Sequence, residues 1–447
     1  MRYIPLTPED RKAMLSVIGV KSVADLFSAI PEDIHFTKGY NLPAAMPEQQ
    51  LLRHIKEIGK ANRPATSTTS FLGAGAYNHF IPAAVDQLIS RSEFYTSYTP
   101  YQPEISQGTL QAIYEYQSYV CALFNMEVAN ASMYDGASAL AEAVLMACRI
   151  SKKNEVVISN LVHPRWRQVV RTYVENRGIK IVETEDHKAG FADPKIITEK
   201  INSGTAAVVV QSPNFFGNVE DLAAISGVCR DKEALFVTAV AEVMSLGLLR
   251  PPGDFGADIV VGEGQSLGLG LNFGGPYLGM FATREIHLRQ MPGRLCGKTV
   301  DKDGRRGFVL TLSAREQHIR REKAASNICS NQALCALTAT IYLTLLGREG
   351  FTDTAKNCFF AAAALKEKIE ASRRGVKKTF NLPFFNEFVV DLTQTADVIN
   401  RRLVEKGVIG GYNISRDYPD VKNKMLFAVT ELTTRQDIDL LMQVLGA

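Results

Sequence analysis

Three phenols, Tyr95, Tyr98 and Tyr101, fall in the short stretch Phe94–Glu104 together with Pro100, Gln102 and Pro103. The prolines disfavour a helix, so the stretch is expected to be an ordered loop. A loop that presents hydroxyls and an amide either meets a ligand or partner or packs its rings beneath itself. Ser70–Phe80 is similar in kind: Gly73 and Gly75 permit tight backbone, and Tyr77 and His79 are expected to point outward. A lone histidine is more often structural than chemical. The third candidate is Tyr134–Ser138, just ahead of an apolar helix stripe formed by Leu140, Val144 and Ala147. Backbone amides at Gly136, Ala137 and Ser138, with the Ser138 hydroxyl, can hold an anion. A simple cap and turn accounts for the same residues.

These candidates need a scaffold, and from about residue 150 the chain alternates strand and helix. Short apolar runs at Val156–Ser159, Ile179–Val182, Ala207–Val210, Leu235–Thr238 and Asp258–Val261 suit strands covered on both faces. Asp193 before Pro194 reads as an N-cap, and Gly178 and Gly204 stand where C-caps belong. The pattern predicts an α/β domain with a mostly parallel sheet. A long helix is expected over about Arg315–Leu346, with the charge run Arg315–Lys323 at its start as a solvated or interdomain face. A smaller unit follows Pro383: strand Phe388–Asp391, helix Ala396–Lys406, strand Met425–Val429 and helix Arg435–Leu445, the last begun by Thr434 and Asp437. Residues 1–65 read as a helical arm entered at Thr7-Pro8-Glu9-Asp10, 66–330 as the large domain, and 331–447 as the linking helix with the small domain.

The stretch Ala234–Ala282 reads as strand, glycine-rich loop and strand, the core of an enzyme that uses pyridoxal phosphate (PLP). Such an enzyme needs a lysine for the Schiff base and usually an acid for the pyridinium nitrogen. No lysine stands between Lys232 and Lys298. The loop has neither G-x-G-x-x-G nor a Walker lysine, which argues against a nucleotide site.

Fifty basic residues against 47 acidic ones leave a net charge of +3, and no basic block stands apart, so nucleic acid is not an expected partner. No apolar run approaches the roughly 20 residues of a membrane span. The seven cysteines are scattered and never spaced C-x-x-C, which fits free thiols in a reducing cytoplasm. The histidines show no metal spacing, and no metal is expected.

The segments Ser70–Tyr77, Tyr95–Leu110, Asn130–Ala137 and Arg315–Lys323 together resemble the glycine cleavage system P-protein, the PLP-dependent glycine decarboxylase. The resemblance covers essentially the whole chain and points to the N-terminal half, which many bacteria make as a separate subunit. It implies PLP fold type I, with an arm, a large α/β domain and a small C-terminal one. Aligned on the glycine-rich loop, Gln265-Ser266 stands where the catalytic half carries His-Lys, so Ser266 takes the lysine's place. The strand Phe236–Val240 supplies no carboxylate before Glu242, so the pyridinium acid is missing too. The resemblance therefore implies a tetramer of two such chains with two catalytic partners. PLP and its lysine would lie in the partner, and glycine would be decarboxylated with transfer of the aminomethyl group to lipoylated H-protein. Tyr95, Tyr98, Tyr101, Gln102 and His79 are the candidates for an active-site wall, and Gly136, Ala137 and Ser138 for a vestigial phosphate site. A self-sufficient PLP enzyme of aminotransferase type and a purely structural scaffold are the competing readings.

Overall fold

Seven strands carry the site: β1 (Val128–Ala129), β2 (Glu155–Ile158), β3 (Lys180–Glu183), β4 (Thr205–Gln211), β5 (Leu235–Val240), β6 (Ile259–Glu263) and β7 (Gly279–Thr283). They form one sheet in the order β1-β7-β6-β5-β4-β2-β3. Neighbours from β3 to β6 pair in parallel, and β7 runs antiparallel to both β6 and β1. Every residue of β4 and β6 is buried, as parallel strands with helices on both faces require. The computed structural model describes residues 6–36, 38–64, 67–272, 274–372 and 376–446.

The chain divides into two compact units, one up to Arg63 and one from Pro64 onward. In the first, the helix Pro8–Ile18 is capped reciprocally by Thr7 and Asp10 and closes on Gly19 at φ 85°. A second helix spans Glu48–Gly59, and neither helix has a buried residue. Between them, among the described residues, the apolar run from Val23 onward makes a 3-10 turn, Ala24–Phe27, and no longer helix.

In the second unit the helix Gly136–Ser151 is buried along nearly its whole length, not on one stripe, because the sheet covers one side and the helix Pro164–Val174 the other. A ribbon of β8 (Leu295–Val300) and β9 (Arg306–Thr311) follows β7. The long helix begins at Ala333, not Arg315, and runs to Ala371 with a kink at Gly347. The charge run ahead of it forms short turns. Leu312 and Arg321 hold left-handed φ angles that break a helix, and the Arg315 guanidinium is tied down by the carbonyls of Met291 and Gly293. The last sheet, β10 (Lys377–Lys378), β11 (Glu387–Asp391), β12 (Tyr412–Asn413) and β13 (Lys424–Ala428), has the order β10-β11-β13-β12 and is antiparallel. Helices Ala396–Glu405 and Arg435–Leu445 pack with it around a core of Phe71, Phe388, Phe427 and Leu441. The Thr434–Asp437 capping box is complete. Asp193 caps the helix Pro194–Lys200, whereas Gly204 is no C-cap: Ile201 is already extended, and the Asn202 side chain takes the Gly204 N–H (2.8 Å).

Candidate functional site

The carboxyl ends of β4, β5 and β6 are where an open α/β sheet presents its ligands. Here that place is filled by the chain itself. The segment Gly73–Tyr77 runs across it, held from two sides. From the large sheet, Gln265 acts as a surrogate backbone: its Oε1 accepts the Tyr77 N–H (2.8 Å), and its Nε2 donates to the Tyr77 carbonyl (2.9 Å). From the small sheet, Glu387 accepts the Tyr77 hydroxyl (2.7 Å) and the Ala74 N–H (3.0 Å). His163 Nε2 donates to the Ala74 carbonyl (2.8 Å) while its Nδ1 accepts from the Arg165 N–H (3.1 Å), which fixes the neutral tautomer. Burial pushes this imidazole down to about 4. The glycines are required by space: a Cβ on Gly73 would stand 2.4 Å from the Ala428 Cβ, and one on Gly75, at φ +102°, 2.9 Å from the His163 ring.

Around this plug lie buried carboxyls. Burial raises Glu387 to about 7, and the charge of Glu242 adds to it against the two donors. Glu263, at the end of β6, is likewise raised to about 7 by burial, although it accepts the N–H groups of Gly136 (2.9 Å), Leu278 (2.9 Å) and Gln265 (3.2 Å). Folded in this way, both carboxyls hold protons that free carboxyls would release.

The same contacts decide whether PLP fits. The Gly136 N–H is taken by Glu263 and the Ser138 N–H by Asp135 Oδ1 (2.7 Å). The Ser138 hydroxyl is spent on the backbone of Asp135 in a capping box. Trp166 covers the turn so closely that a Cβ on Gly136 would lie 2.4 Å from its ring. A phosphate at Gly136–Ser138 would meet two carboxyl groups and an indole already in place. Ser266 is 1% exposed, and its hydroxyl has no partner among the described residues; the same holds for Thr238 on β5. Glu242, the first acid after that strand, is turned to the Met244 N–H (2.8 Å) and to His79. These residues do not fit a covalently held PLP.

The other sequence candidates separate into two groups. Tyr77 and His79, expected to point outward, are both buried, because each hydroxyl or ring nitrogen is claimed by a glutamate. The His79 ring lies between Glu242 Oε2 (3.2 Å) and Glu431 Oε2 (2.8 Å). In contrast, Tyr95, Tyr98 and Tyr101 are 65%, 78% and 60% exposed, and Gln102 is exposed beside them. After the one-turn helix Ser92–Tyr95 the stretch is loop, as its prolines require. Sequence reasoning missed its anchor, Arg294. This buried guanidinium donates to the Thr99 hydroxyl (3.1 Å), the Tyr101 hydroxyl (3.3 Å) and the Cys329 carbonyl (2.7 Å), and it lies over the Tyr101 ring at 5.5 Å. Glu316, from the charge run, stands 3.7 Å behind it. Nothing in local spacing links residues 99, 294 and 316.

Comparison with known proteins agrees with this reading of the fold. A family model described as "Glycine cleavage system P-protein" matches residues 1–445. The chain is 50% identical over 445 residues to the probable glycine dehydrogenase (decarboxylating) subunit 1 of Anoxybacillus flavithermus, covering 100% of this chain and 98% of that one. It superposes with a TM-score of 0.89 and 43% identity on a crystal structure of glycine decarboxylase (P-protein) of the glycine cleavage system in inhibitor-bound form, over 100% of this chain and 99% of that one. A glutamate decarboxylase of Lactobacillus brevis shares the fold, at a TM-score of 0.69 and 12% identity, over 93% of this chain and 96% of that one. With its mostly parallel seven-stranded sheet, its PLP type I architecture and a match along nearly its full length, the chain belongs to the glycine cleavage system P-protein family.

Proposed function

We propose that this chain is the subunit of a glycine decarboxylase that does not hold the cofactor lysine. Two copies join two catalytic partners in the cytoplasm. The partner carries PLP, and the aminomethyl group left from glycine passes to the lipoyl arm of H-protein. The observation that carries this reading is the tyrosine rim. A chain does not ordinarily leave three phenols of one short stretch largely exposed while clamping that stretch with a buried arginine. Such a surface suits a second subunit, whose active site it would close. The names of the curated relatives, "subunit 1", support a partner.

In this role the chain's own residues bind and exclude water. The phenols hydrogen-bond a substrate carboxylate or a positioned water, and their rings keep bulk solvent out of the partner's site. Losing one hydrogen bond to a charged group costs about 1.5–3 kcal/mol, roughly tenfold to a hundredfold in rate. The test is the assembled enzyme with Tyr95→Phe, Tyr98→Phe and Tyr101→Phe, each of which keeps the ring. At least one variant is expected to lower kcat/KM for glycine about tenfold or more with the tetramer intact. The scaffold reading draws its support from the filled interior around Gly73–Tyr77. It takes over if all three variants assemble and turn over like the parent.

A further inference from the structure

Four side chains from four separate parts of the second unit converge on one point. His79 belongs to the Ser70–Phe80 loop, Glu242 follows β5, Cys358 lies on the long helix beyond its kink, and Glu431 follows β13. Glu431 Oε2 stands 2.8 Å from His79 Nδ1 and 3.2 Å from Cys358 Sγ, and the thiol is 4.0 Å from the same ring nitrogen. One donor from each of the three residues lies within 4.8 Å of the others. The other ring nitrogen, Nε2, faces Glu242 Oε2 at 3.2 Å.

We propose that His79, Cys358 and Glu431 form a binding site for a zinc-type divalent cation, with Glu242 orienting the imidazole. Zinc holds nitrogen and oxygen at about 2.0–2.2 Å and sulfur at about 2.3 Å, so tetrahedral donors stand about 3.3–3.6 Å apart. The observed separations of 2.8, 3.2 and 4.0 Å straddle that range. Side-chain torsions alone can close the remaining half-ångström or so. One imidazole, one thiol and one carboxylate form a borderline-soft set that suits zinc, whereas magnesium and calcium call for oxygen alone. A ligating histidine usually donates its second nitrogen to a carboxylate, and Glu242 stands in that position.

As the metal bonds form, the ligating nitrogen and sulfur give up to solvent the protons they carry. Of the four side chains, His79 also belongs to the lining of a cleft of about 840 Å³, with Tyr77, Asn78, Phe80 and Thr430.

The test uses the full chain, treated with a chelator, dialysed and titrated with zinc chloride and then with cobalt chloride. Zinc is expected to bind one to one and to raise Tm. Cobalt is expected to give a thiolate charge-transfer band and the visible bands of a tetrahedral site. Cys358→Ser should abolish the charge-transfer band, and Glu431→Gln should weaken zinc about tenfold or more. Cys121→Ser, at a thiol outside the cluster, should change neither. If zinc does not bind stoichiometrically, or binds the Cys358→Ser and Glu431→Gln variants as it binds the parent, the cluster is a hydrogen-bonded clasp and the proposal fails.

Discussion

The interior beneath Gly73–Tyr77 and the rim around Tyr98 were both candidates for chemistry, and the fold treats them in opposite ways. In the interior the amides are claimed: Glu263 and Asp135 take those of the helix, Gln265 and Glu387 take those of the loop, and Ser266 is sealed with its hydroxyl unpartnered among the described residues. At the rim, aromatic surface is left open and its backbone is fastened from behind by Arg294. A place where a cofactor would sit has become packing, while a loop has become the exposed feature. Stability should therefore reside in the first region and activity in the second.

The strongest way to break this comparison is to add one atom to the plug. Gly73→Ala would drive a methyl into Ala428 and Glu387, and overpacking of this kind should cost about 3 kcal/mol, read as a lowered midpoint in denaturant. A midpoint like the parent's would mean that the interior is loose. A second probe is pH. Burial raises Glu387 from the ordinary carboxyl value of 4.5 to about 7, so the folded state binds the proton more tightly. Its contribution is fully present below about 4.5 and is lost as pH rises through about 7, roughly 3 kcal/mol in all. Glu387→Gln should make the fall in Tm over that window shallower, and an unchanged slope would place the lost protons elsewhere. Ser266→Ala removes a buried hydroxyl that has no partner and should stabilise by roughly 1 kcal/mol. The smallest effect is expected at the rim. Tyr98→Ala in the isolated chain should change stability by less than about 0.5 kcal/mol, and a large loss would show that the loop is packing after all.

The sequence was legible where one element decides the outcome by itself. The β2 to β6 runs, the Thr434 cap and the loop at Pro100–Pro103 depend on neighbours a few residues away, and all three appear in the structure. The missing lysine was equally plain. Illegible were the features made by long-range pairing. Tyr77 and Glu387 are 310 residues apart, and His79 and Cys358 are 279 apart, so no local pattern could turn their side chains inward. The helix expected from Arg315 failed for a related reason: its charges are spent on Met291, Gly293 and Arg294 instead of on its own turns.

The grip on Tyr77 has a mechanical meaning. Enzymes that close on a substrate let one layer swing against another across a hinge. Here the large sheet, through Gln265, and the small sheet, through Glu387, hold the same residue from opposite sides. The segment behaves as a rivet through two plates. To swing, the small sheet would have to tear a buried phenol from a buried carboxyl. A chain riveted in this way has given up the motion of a jaw and can serve as an anvil, a fixed face against which a moving neighbour closes.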